Sequence, residues 1–164
     1  MKRSLLLLPL LYSLLFAQNP MPPQSAAELQ HRLKELRVLG SVLYLAAHPD
    51  DENQRLIATF AKGYGYRTTY LSLTRGDGGQ NLIGDEKGEL LGMLRTQELL
   101  QARRIDGGEQ TFSRAYDFGY SKTPEETLEI WDKDKVLADV VWAIRKFRPD
   151  VIVNRFATPE NEGG

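Results

Sequence analysis

Hydrophobic and polar positions along the chain alternate between two patterns. Short runs that are almost wholly apolar give way to longer stretches in which large aliphatic residues recur every three or four positions. Val42 to Ala47 is one such run; with no polar alternation, it suits a strand buried on both faces of a parallel sheet. From Asn53 to Lys62, Leu56, Ile57 and Phe60 share one helical face, and Gly63 and Gly65 would end that helix. Arg67 to Leu73, rich in Thr, Tyr and Leu, reads as a second strand, and Glu89 to Arg104 as a long helix carrying Leu90, Leu91, Leu94, Leu99 and Leu100. Gln110 to Ala115 is a third strand. Thr123 starts another helix, with Pro124 at its first position and Glu126 completing a capping box. Lys133 to Phe147 places Val136, Val140, Ile144 and Phe147 at helical spacing; Pro149 and Asp150 stop it before a last strand over Val151 to Val153. Upstream, Ser25 is placed to cap a helix over Ala26 to Arg37, with Leu29, Leu33 and Leu36 on one face.

Strand and helix in alternation predict an α/β fold: a mostly parallel sheet in a three-layer, Rossmann-like arrangement with helices on both faces. There is no internal repeat and no low-complexity segment. The first residues stand apart from this pattern. Lys2 and Arg3 precede a 12-residue run from Leu5 to Phe16, interrupted by Pro9, Tyr12 and Ser13, and Ala17 then meets polar Gln18 and Asn19. A charged start, a short apolar middle and a small residue at its end describe a secretory signal peptide, residues 1–17. The run is well short of the ~20 residues a spanning helix needs, so no stable membrane span is expected after cleavage. Export to the periplasm or the extracellular space follows. Residues 18–37, opening with Pro20, Pro22 and Pro23, read as a linker and first helix, and residues 38–164 as the domain.

Composition narrows the chemistry. The 164 residues suffice for one domain with its own core, and a formal net charge of -1 gives no reason to expect nucleic acid or an anionic membrane as partner. The absence of cysteine excludes disulfides, thiolate metal sites and a cysteine nucleophile. Nothing fixes an oligomeric state.

In open α/β sheets, ligands bind beyond the carboxyl ends of the strands. Three strands end here in polar or glycine-rich loops: His48-Pro49-Asp50-Asp51-Glu52, Thr74-Arg75-Gly76-Asp77-Gly78-Gly79-Gln80-Asn81, and Asn154-Arg155. All three are expected to face one crevice. His48 and Asp51 straddle a strand-to-helix turn, where an imidazole and a carboxylate can point at one metal ion; nitrogen and oxygen donors suit zinc. Asp50 between them is placed to take a proton from a water at such a site, and Pro49 restricts His48 to extended geometry. The same residues also suit a plain helix cap with His48 incidental. The glycine loop would let backbone N–H groups approach an anionic or sugar ligand, or be a simple turn; its Arg-Gly-Asp also occurs in adhesion ligands. No G-x-G-x-x-G follows the first strand, which argues against dinucleotide binding. Arg95 and Glu98, one turn apart, are expected to form an ion pair. His31 and the Arg145, Lys146, Arg148 cluster read as solvated, and Tyr116, Phe118 and Tyr120 as packing or pocket-lining residues.

Ala47-His48-Pro49-Asp50-Asp51-Glu52 after an apolar strand, Thr74-Arg75-Gly76-Asp77-Gly78-Gly79 after the next, Arg95-Thr96-Gln97-Glu98 on a helix and Pro149-Asp150-Val151-Ile152-Val153 resemble, in order and spacing, the motifs of the PIG-L/LmbE-like N-acetylglucosaminyl deacetylases. The resemblance implies an LmbE-like fold, a Zn2+ cofactor with His48 and Asp51 among its ligands, Asp50 as general base, and Arg75 and Asp77 in the pocket of a small-molecule or glycoconjugate substrate. The reaction implied is removal of an N-acetyl group from N-acetylglucosamine-type sugars or related amides. The family's third ligand is a histidine in a segment after the last matched strand, where a further histidine helps protonate the leaving amine. This sequence has no histidine beyond His48, and Glu162-Gly163-Gly164 falls where that segment should begin, so the domain is expected to be incomplete at its C-terminus, cut in a loop. The alternatives are a non-catalytic carbohydrate- or nucleotide-binding module on the same fold, or an inactive fragment of a longer deacetylase.

Overall fold

The computed structural model describes residues 25–156; the signal-peptide segment and the last residues lie outside them. The chain divides into two units, Met1–Lys34 and Glu35–Gly164. In the first, helix α1 (Ala26–Glu35) begins where the sequence predicts. Ser25 Oγ accepts from the Glu28 amide at 3.2 Å, and Glu28 Oε2 accepts from the Ser25 amide at 2.7 Å, a reciprocal capping box. Leu29 and Leu33 are exposed, and His31 is half-buried where a solvated position was expected.

In the second unit, four strands, β1 (Ser41–Ala46), β2 (Arg67–Ser72), β3 (Glu109–Phe112) and β4 (Val151–Asn154), form one sheet in the order β3-β2-β1-β4. All three pairings are parallel, with Leu43 opposite Thr69 and Ile152, and Leu71 opposite Thr111. Side chains alternate across the sheet, so β1 and β2 supply both faces. Tyr44, Ala46 and Tyr70 point one way and pack with Ile57 of α2 (Gln54–Ala58) and Leu99 of α3 (Glu89–Asp106). Leu43 and Leu71 point the other way and pack with Ala143 and Phe147 of α5 (Lys133–Phe147). Helices cover both faces, so the fold is the three-layer α/β arrangement expected. No helix among the described residues is long and apolar enough to cross a membrane.

Local departures have local causes. After Ala58, α2 widens into a π-turn over Thr59–Gly63, with the Tyr64 amide donating to the Thr59 carbonyl at 2.9 Å. β3 stops at Phe112, short of Ala115, because Ser113 turns the chain out of the sheet: its hydroxyl donates to the Leu73 carbonyl at 2.6 Å and accepts from the Ala115 amide at 3.1 Å. α3 runs two residues past Arg104 and closes on Gly107, whose φ of 84° a side chain would resist. α4 (Pro124–Trp131) starts as predicted: Thr123 Oγ1 accepts from the Glu126 amide at 3.2 Å. The Glu126 carboxylate, however, reaches the Lys122 amide, one residue before the cap.

Candidate functional site

The site begins where β1 ends. Tyr70, inside the sheet, donates its hydroxyl to the His48 carbonyl, and Thr74, also buried, donates its own to the Ala47 carbonyl at 3.0 Å. The loop after β1 is thereby fixed to β2 and the loop after it. Asn53 Oδ1 accepts from the Leu56 amide at 3.0 Å and starts α2. With the capping done by Asn53, neither Asp50 nor Asp51 is needed there, and both carboxylates stay available for other work.

Asp51 folds back on His48. Its Oδ2 accepts from the His48 amide at 2.8 Å and lies 3.3 Å from His48 Nδ1. Two donors each about 2.0–2.2 Å from a tetrahedral zinc ion stand roughly 3.3–3.5 Å apart, so this pair fits two positions on one ion. Among the described residues no group of three His, Asp or Glu side chains converges to hold a metal. Asp50 is exposed and lines an open cleft of about 900 Å³, together with Asp51, Arg95, Glu98, Asn154 and Arg155. Arg155 donates from Nε to the Asp51 carbonyl at 3.1 Å, which brings the third polar loop to the first.

The glycine loop is held from outside by Arg95. Instead of pairing with Glu98, Arg95 donates from Nη1 to the Gly76 carbonyl at 2.8 Å and from Nη2 to the Gln80 carbonyl at 2.9 Å. A side chain at Gly79 would collide with that guanidinium, its Cβ falling 2.4 Å from Nη1. Arg75 turns toward α3 and β3: Nη1 donates to Thr96 Oγ1 at 3.0 Å and the guanidinium stacks 4.2 Å above the Phe112 ring. It lines a second, mostly apolar pocket of about 750 Å³ with Asp77, Leu90, Met93 and Tyr116, beside the cleft that holds Asp50. The structure therefore gathers His48, Asp50, Asp51 and Arg155 at one place and sets Arg75 and Asp77 in the neighbouring one.

A residue missed in the sequence joins the two. Asp117, buried, lies with Oδ1 3.7 Å from His48 Nε2, so each ring nitrogen of His48 faces a carboxylate. The Asp117 amide donates to Asp77 Oδ1 at 3.2 Å, and Asp117 Oδ1 accepts from the Gly119 amide at 2.9 Å. Its flanking aromatics pack as expected of loop residues: Phe118 lies edge-on to Tyr116 and Trp131, and Trp131 Nε1 donates to the Tyr116 carbonyl at 2.8 Å. A carboxylate in the loop after a parallel strand was the available signal, masked by the aromatic residues around it.

Behind the first loop, Glu52 enters the protein. Burial pushes its carboxyl above the usual carboxylate range, against a hydrogen bond from its surroundings and the nearby Arg103. Burial likewise pushes the Tyr70 phenol well above its ordinary value, so it remains a hydrogen-bond donor to His48.

The family model for GlcNAc-PI de-N-acetylase, PIG-L, matches residues 43–161, more than half of the chain. The mycothiol S-conjugate amidase of Streptomyces coelicolor is 32% identical over 131 residues, 72% of this chain and 43% of that protein. The 1D-myo-inositol 2-acetamido-2-deoxy-alpha-D-glucopyranoside deacetylase of Streptomyces scabiei is 28% identical over 166 residues, 90% of this chain and 47% of that protein. Among solved structures, the N,N'-diacetylchitobiose deacetylase of Pyrococcus horikoshii superposes with a TM-score of 0.51 at 18% identity, over 81% of this chain and 51% of that one, a likeness of fold. The chain spans about half the length of the curated relatives it matches. On its motifs, its fold and the family match together, the chain belongs to the PIG-L family.

Proposed function

We propose that the protein is a zinc-dependent amide hydrolase that removes an N-acetyl group from N-acetylglucosamine-type sugars or related amides. The observation that carries this is the His48–Asp51 pair, its donor atoms 3.3 Å apart, beside an exposed Asp50 on an open cleft. Relatives named as a deacetylase and an amidase support the same class of bond cleavage. His48 and Asp51 would supply two ligands of the ion. Bound there, zinc supplies Lewis-acid polarisation and stabilises negative charge developing on the acetyl oxygen.

The chain's own residues do the rest. Asp50 takes a proton from the attacking water as the new C–O bond forms on the acetyl carbon. As the C–N bond breaks, that proton passes to the departing amine, so a free amino sugar leaves with acetic acid, which gives up the water's second proton to solvent and becomes acetate. With Nδ1 beside Asp51 as the coordinating nitrogen, the Asp117 carboxylate on the far side of the ring, 3.7 Å from Nε2, would draw the ring N–H to Nε2 and leave the Nδ1 lone pair for the ion. Arg75 and Asp77, in the adjoining pocket, offer a cation and a carboxylate to hydroxyl or acidic groups on the rest of the substrate. The N-terminal 17 residues direct the protein out of the cytoplasm.

The test is release of primary amine from N-acetylglucosaminyl conjugates by the purified protein, before and after a chelator. Activity lost on chelation and restored by stoichiometric zinc supports the reading. Saturable binding of the conjugate without amine release, zinc present, points to a binding module on this fold.

A further inference from the structure

We propose that Arg103, a buried cation on α3, is a positioning residue that braces both ends of the loop His48–Glu52. The proposal rests on the reading of that loop as the metal and proton-transfer loop. At the far end of the loop, Arg103 Nη2 lies 3.5 Å from Glu52 Oε1, both side chains 4% exposed. At the near end, the guanidinium carbon lies 5.5 Å from the centroid of Tyr70, within cation–π range, and the Tyr70 hydroxyl holds the His48 carbonyl. One side chain thus bears on the first and last residues of the segment that carries His48, Asp50 and Asp51.

Arg103 is itself anchored from the other side. Nη2 donates to Asp106 Oδ2 at 2.6 Å and Nη1 to Gln110 Oε1 at 3.3 Å. Asp106 Oδ1 in turn accepts from the Gly108 amide at 2.9 Å, so the end of α3 and the start of β3 form a fixed base. Arg103 Nε is buried with no partner. A buried charge cluster with an unsatisfied donor is a poor way to stabilise a fold; apolar residues of similar size would serve as well or better. The cluster provides direction instead. A planar guanidinium can face Asp106, Gln110, Glu52 and the Tyr70 ring at once, which neither an ammonium nor an aliphatic chain can do.

The experiment compares Arg103→Met and Glu52→Gln with the parent full-length protein. Amide exchange at His48 and Asp51 is read first, because it needs neither metal nor substrate; those amides bond to Asp51 Oδ2 and the His48 carbonyl inside the loop. Both variants are expected to unfold cooperatively, with exchange in the loop faster by about tenfold or more and exchange in β1, β2 and α5 unchanged. Zinc affinity, measured by competition with a chromophoric chelator, should fall about 10–100-fold, and kcat should fall with little change in KM. Arg103→Lys should rescue neither readout. If Arg103→Met does not fold, Glu52→Gln alone decides, since it removes only the loop's side of the contact. Parent-like exchange at His48 and Asp51 in a folded variant overturns the brace. A parent that binds no zinc, with exchange changed as expected, overturns the zinc reading and leaves the brace standing.

Discussion

Gly78 is the position where the smallest perturbation should do the most damage. A Cβ built there would lie 2.0 Å from the Asp117 carbonyl oxygen and 2.5 Å from its carbonyl carbon. Real contacts of that kind stop near 3.0 Å, and both neighbours are backbone, so Gly78→Ala must drive the two segments apart by about 1 Å. The displaced segment carries the carboxylate that faces His48 Nε2, and its amide is tied to Asp77. Overpacking of this kind costs about 1–3 kcal/mol, a fall in Tm of about 2–12 °C for a domain of this size. A shift of about 1 Å next to the reacting groups costs about 10²-fold in kcat/KM. Gly63→Ala is the control: its Cβ would meet only the Thr59 methyl at 3.9 Å, and both Tm and kcat/KM should stay at parent values. Thermal unfolding and amine-release kinetics on the two variants decide. A Gly78→Ala protein with parent Tm and parent kcat/KM would refute the claim that the glycine loop and Asp117 are built in contact.

Arg95→Ala removes both hydrogen bonds that hold the Gly76 and Gln80 carbonyls. It should cost about 1–3 kcal/mol in urea unfolding and make residues 74–81 the first site of proteolytic cleavage. Thr123→Ala removes the cap of α4 and should cost about 1 kcal/mol by the same measurement, with kcat unchanged. Hydrogen bonds from Arg114 hold the Asp139 carboxyl below its ordinary value of 3.8. A lowered carboxylate contributes stability that is present above the ordinary value and is lost as the pH falls through the lowered one. Asp139→Asn should therefore reduce Tm at neutral pH and show a flatter decline than the parent below pH 3.8.

The sheet and its helices were legible because the physics that specifies them is periodic. Val42 to Ala46 and Thr68 to Ser72 form central strands, and their unbroken apolar or β-branched runs say so; Val136, Val140, Ile144 and Phe147 mark the inner face of α5. On α3 the leucine pattern predicts more burial than forms. Leu91 and Leu99 are buried, while Leu90, Leu94 and Leu100 are exposed, because a helix of leucines does not announce which stripe its neighbours cover. Strand ends were misjudged where a side chain competes with the ladder, as Ser113 does at the end of β3. His48 and Asp51 stood out because they share one short loop and three positions separate them. Asp117 and Arg103 did not, because each meets the site across a long stretch of sequence: 69 residues separate His48 from Asp117, and 51 separate Glu52 from Arg103. The Arg95–Glu98 spacing suggested a helix pair, but two carbonyls of the neighbouring loop claim the guanidinium instead.

In the proposed mechanism Asp50 moves the proton in an amide hydrolysis whose metal His48 and Asp51 would help to hold. It is tested by measuring acetate released from an N-acetylglucosamine-type conjugate by zinc-loaded parent and Asp50→Asn proteins, with bound zinc measured in the same samples. The zinc-loaded parent should release equimolar acetate and amine. Asp50→Asn should keep its zinc and lose about 10²–10⁴-fold in rate. An Asp50→Asn protein that turns over at the parent rate would contradict it, as would a zinc-loaded parent that releases no acetate from N-acetylated amino sugars.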